Sequence, residues 1–121
     1  MKYMLMMHVG QNDATAVLDW PAQDIKNMLE FQHAFDRELE DNGEMVFNAG
    51  LADGSTAKLV KQTHDRVITT DGPYAESKES LIGYWVVDVA SEKRAIEICS
   101  SIVKYAGTVE LRAVQDGPPD V

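Results

Sequence analysis

Apolar residues fill both rows of the first β-type segment: Tyr3, Leu5, Met7 and Val9 form one row, and Met4, Met6 and His8 the other. A strand over Tyr3 to Val9 is therefore expected to be covered on both faces, and Gly10-Gln11-Asn12-Asp13 supplies the turn that ends it. The period then changes. From Pro21 to Asn42, Ile25, Met28, Leu29, Phe35 and Leu39 recur at helical spacing, with Asp19 as the expected N-terminal cap, Pro21 in the first turn and Gly43 as the stop. Met45 to Ala49 predicts a second strand. Ala57 to Lys61 and Arg66 to Thr70 predict a hairpin around Gln62-Thr63-His64-Asp65. The segment Leu81 to Val89 is nearly all apolar, the pattern of a central strand buried on both sides. Ser91 caps a second predicted helix whose inner face carries Ala95, Ile96, Cys99, Ile102 and Val103, and a last strand runs from about Thr108 to Val114.

Strand, helix, strands, helix, strand is the order of a ferredoxin-like α+β domain, an antiparallel sheet with two helices on one face. The helices leave the second sheet face without cover, and strands apolar on both sides cannot leave that face in water. The pattern by itself therefore suggests a homodimer. Residues 1–115 read as a single domain, and the aperiodic stretch 116–121 as a short extended tail.

Composition narrows the function classes. A chain of 121 residues with 45% apolar content suits one core, and no repeat or linker divides it. Twenty acids against eleven bases give a net charge of −9, which repels a phosphate backbone and argues against nucleic-acid binding. Lys2 to Val9 is too short for a signal segment or a membrane span, so a cytoplasmic protein with no membrane partner is expected. Cys99 is the single cysteine; it excludes an intramolecular disulfide, and its place on an apolar helix face predicts a buried, inert thiol.

Ionisable groups concentrate in one loop. Asp71, Tyr74, Glu76, Lys78 and Glu79 follow a β-branched run, with Gly72 giving torsional freedom and Pro73 fixing its own φ. Such a loop suits a site held by rigid elements, and equally a structured turn with solvated charges. His8 sits in the row of Met4 and Met6, as a core or rim residue or as a proton shuttle. His33 lies one residue off the core stripe of its helix, with Glu30 and Arg37 at helical neighbour spacing; His64 falls at the predicted hairpin tip. No histidine pair has the spacing of a helical metal site, so no metal is expected, and no cofactor is implied.

The string Thr70-Asp71-Gly72-Pro73-Tyr74-Ala75-Glu76-Ser77-Lys78-Glu79, followed by Gly83-Tyr84, closely resembles the signature of the YCII-related family, in particular its DGPF-domain branch. The resemblance extends from Lys2-Tyr3-Met4-Leu5 through Gly50-Leu51 and Ser55-Thr56-Ala57 to Asp88-Val89 and Val109-Glu110-Leu111-Arg112; Tyr74 stands where the signature has Phe. It implies a dimeric α+β barrel, in which two sheets face one another across a two-fold axis. Some relatives are thought to pair a helix histidine with an aspartate for acid/base work. Counting back from Gly43, that position falls on Gln32, with His33 the next residue, so the pair does not carry over directly.

Two function classes remain open. One is a cofactor-free enzyme acting by acid/base chemistry on a small carbonyl or aromatic compound. Its candidate catalytic groups are Asp71, Glu76, His8 and His33, with Tyr74 and Lys78 as candidate substrate-binding groups. The other is a non-catalytic ligand-binding or protein-interaction module, which the branch's association with sigma factors would link to regulation. In that case Asp71 and its turn act as a structural clasp.

Overall fold

The computed structural model describes residues 1–10, 20–52, 54–72 and 79–117. Along them run β1 (Lys2–Gly10), α1 (Ala22–Asp41), β2 (Met45–Gly50), a 3-10 turn (Gly54–Thr56), β3 (Lys58–Thr63), β4 (Arg66–Asp71), β5 (Glu79–Asp88), α2 (Glu92–Ala106) and β6 (Thr108–Ala113). The main sheet has the order β2-β5-β1-β6, with antiparallel pairing throughout. This is the ferredoxin-like α+β arrangement, with β3 and β4 inserted as a separate two-stranded hairpin. The hairpin turns on two residues, tighter than the four expected. His64 takes a φ of +56°, a left-handed conformation that histidine tolerates better than most residues.

Each helix ends where local chemistry stops it. At the end of α1, Gly43 has a φ of +71°; its N–H donates to the Glu40 carbonyl and that of Glu44 to the Leu39 carbonyl, the paired bonds of a Schellman motif. Pro21 occupies the N-cap position of α1 rather than its first turn, and the expected cap Asp19 lies outside the described residues. At the start of α2, the Ser91 hydroxyl accepts from the Arg94 N–H at 3.2 Å, as its sequence predicts.

Both helices pack on one face of the sheet. Tyr3 and Leu5 of β1 with Trp85 and Val87 of β5 meet Phe35 and Leu39 of α1 and Ala95, Ile98, Cys99 and Ile102 of α2. The α2 stripe differs from expectation: Ile98 is buried, whereas Ile96 is half exposed and Val103 partly so. At about 100° per residue, Ala95, Ile98, Cys99 and Ile102 centre on one direction, and Ile96 and Val103 fall together on its shoulder. Phe31 stacks on Phe35 with ring centres 5.5 Å apart and meets Tyr105 of α2 at 4.7 Å, so aromatic contacts join the helices.

Among the described residues, no element covers the other sheet face. Met4 and Met6 of β1 stand opposite Val86 and Tyr84 of β5, and Phe47, 55% exposed, stacks obliquely on Tyr84 at 6.0 Å.

A bidentate ion pair closes one corner. The Arg94 Nε and Nη2 atoms each donate to a Glu44 carboxylate oxygen at 2.9 Å, tying the α1–β2 turn to the first turn of α2. Hydrogen bonding from Arg94 holds the Glu44 carboxyl below its ordinary value of 4.5. The associated stability is therefore complete above the ordinary carboxylate range and is lost as pH falls through the lowered folded value. Glu44→Gln should reduce stability by about 1–2 kcal/mol at pH 7, with the difference from the parent shrinking in acid. Denaturant titrations at neutral and acidic pH check both parts. Burial pushes the Cys99 thiol up. It should react slowly with a thiol reagent in the native protein and rapidly once denaturant exposes it, as absorbance of the released chromophore would show.

Candidate functional site

Strand glycines create the opening. Gly50 of β2 and Gly83 of β5 are directly paired, two positions from the pair Asn48 and Trp85, and so lie on the helix-facing side. Where the neighbouring pair puts the Trp85 indole against α1, this pair leaves space. A Cβ built on Gly50 would meet nothing within 4 Å, whereas one on Gly83 would lie 3.1 Å from the Ala49 carbonyl oxygen and 3.2 Å from Met7 Cε. Gly83 therefore permits the close approach of its neighbours, and Gly50 faces open volume.

Two adjoining cavities, of about 150 and 220 Å³, occupy this region between α1 and the sheet. Met7, Gln32, Gly50 and Trp85 line both, making them two ends of one cleft. The larger end is walled mainly by apolar groups, among them Met28, Phe31, Ile82 and Tyr105. The smaller end carries the polar side chains, Gln32, Asp36 and Asn48.

Asp36 organises the polar end. Trp85 is 4% exposed, and a buried indole N–H needs an acceptor; it donates from Nε1 to Asp36 Oδ1 at 2.9 Å. Asn48 Nδ2 donates to Asp36 Oδ2, also at 2.9 Å. Each carboxylate oxygen thus accepts one bond and keeps a lone pair for another. Gln32 lies one turn earlier on α1, so its amide shares the same helix side. Among the described residues, no lysine, arginine or histidine lines the cleft and no cation pairs with Asp36.

The candidates from sequence fall elsewhere or outside the described residues. Asp71 ends β4 with its side chain 89% exposed and paired to Lys58. Tyr74, Glu76 and Lys78 lie outside the described residues. His33 is exposed on α1, while its neighbour Gln32 faces the cleft. His8 stands in the β1 row of Met4 and Met6, on the uncovered sheet face. Its Nε2 is 3.3 Å from Glu110 Oε1, without the alignment of a hydrogen bond. Neither His8, His33 nor Asp71 lines the cleft.

Sequence reasoning did not single out Asp36, Asn48 or Trp85. Signals for them existed: a tryptophan inside an apolar strand requires a buried acceptor, Asp36 follows the core residue Phe35 directly, and two glycines interrupt strands. Asp36 is hidden among the many acids of α1, most of them exposed.

No helix among the described residues is long and apolar enough to cross a membrane. Comparison with known proteins matches the YCII-related domain to residues 1–116. An uncharacterised protein of Rhizobium meliloti (strain 1021) is 26% identical over 112 residues, 90% of each chain. With the family match spanning almost its entire length, the chain belongs to the YCII-related family.

Proposed function

We propose that this protein binds a small, largely apolar molecule, such as an aromatic or a compact carbonyl compound, in the cleft between α1 and the sheet. The observation that carries the reading is Asp36: a carboxylate held by two neutral donors, unpaired by any described cation, at the polar end of an apolar cavity. A cavity of about 150 Å³ is enough for a benzene ring in another protein, and the larger end here offers about 220 Å³. The fixed carboxylate orients the ligand through a donor, and the apolar walls supply most of the affinity.

Acid/base turnover is a second reading, favoured by the same carboxylate. Its remaining lone pairs are available to take a proton from carbon next to a carbonyl, with the Gln32 amide as donor to the oxygen that gains charge. Asp71, Glu76, His8 and His33, with Tyr74 and Lys78, stay as secondary candidates, and the first of them sits in the DGPF-type turn. Ligand binding without turnover would make the protein a binding module.

A homodimer through the uncovered sheet face accompanies this reading. Met4, Met6, Phe47, Tyr84 and Val86 offer a self-complementary apolar surface of the kind two-fold interfaces use.

Small aromatic ketones, lactones and phenols should raise the melting temperature of the parent protein. Gly50→Val, which places a side chain in open volume, should abolish the shift while the unliganded protein keeps a melting temperature within a few degrees. Asp36→Asn, which retains an acceptor for Trp85, should weaken binding about tenfold, the effect of one hydrogen bond to a charged group. Equal shifts in all three proteins would place the ligand elsewhere. Light scattering should give twice the 13.4 kDa chain mass, and Met6→Glu should halve it; a parent protein that is monomeric at micromolar concentration removes the dimer.

A further inference from the structure

We infer that the cleft selects its ligand by charge, taking an organic ammonium ion with an apolar or aromatic body in preference to a neutral or anionic molecule of the same shape. The inference rests on the cleft reading above and concerns the chemical class of what enters it.

Three observations converge. Asp36 holds the polar end, and the groups that fix it, the Trp85 indole and the Asn48 amide, are neutral. Its negative charge is oriented but not compensated by any described cation. No lysine, arginine or histidine among the described residues lines either cavity, so an anionic ligand would face Asp36 with no described cation to offset the repulsion. The apolar end then supplies the aromatic surface of Phe31, Trp85 and Tyr105 to receive the apolar or aromatic body of the ligand.

A neutral donor would satisfy the free lone pairs of Asp36 but leave its charge unpaired as ligand displaces water from the cleft. An ammonium satisfies both, because it carries donors and opposite charge. The chain as a whole, at −9, adds a field of the same preference.

The test uses three probes of one shape at pH 7: phenethylamine, 2-phenylethanol and 3-phenylpropionate. Binding is read by the fluorescence of Trp85 in a Trp20→Phe background, which leaves the cleft tryptophan as the sole indole. The amine should bind at least tenfold tighter than the alcohol, the carboxylate weakest. Asp36→Asn should bring amine and alcohol to within about twofold, and added salt should erode the preference of the parent protein. Gly50→Val should abolish all binding. Equal affinity for amine and alcohol in the parent, with both lost in Gly50→Val, would overturn charge selection while leaving the cleft reading intact. Tighter binding of the carboxylate would also overturn it. No response to any probe, or responses that Gly50→Val leaves unchanged, would overturn both.

Discussion

The packing of α1 across Trp85 is the constraint on which the arrangement of this protein depends. A tryptophan in the middle of a central strand brings a large apolar area and one N–H that must be satisfied away from water. Phe35 meets its ring edge-on with centres 6.1 Å apart, and Asp36, the next residue of the helix, accepts the N–H. Consecutive residues of α1 thus supply the packing partner and the polar partner. With that contact set, Leu39 one turn on from Phe35 enters the core and Gln32 one turn back from Asp36 reaches the cleft.

The cleft follows from what the sheet lacks beyond Trp85. The next helix-facing pair along β2 and β5 is Gly50 with Gly83, so at this point these two strands offer α1 no side chain to pack against. A core would close over such a gap at the cost of the close packing around Trp85, and the anchored helix does not follow it down. The Asp36 carboxylate consequently stands between a rigid hydrogen-bonded support and open volume.

The two faces of the sheet have different fates. One carries the core and the cleft; the other presents methionines, a phenylalanine and a tyrosine to whatever covers it. The hairpin of β3 and β4 stands as its own two-stranded sheet, with Val60 and Val67 exposed. Such ribbons gain little stability alone.

Periodicity in the sequence determined the element order, the Ser91 cap, the Gly43 stop and the ferredoxin-like α+β class, because these depend on interactions between near neighbours. What near neighbours cannot report is which side chains meet across the fold. Asp36, Asn48 and Trp85 are far apart in sequence and on three different elements, and only the register of β2 on β5 and the seating of α1 bring them together. The Ile98 face of α2 was missed for a related reason: an apolar stripe wider than the contact leaves its exact centre to the partner surface. His33 beside Gln32 is the sharpest case, since one residue of helix turns a side chain through about 100°, and that rotation separates a group in the cleft from one in water.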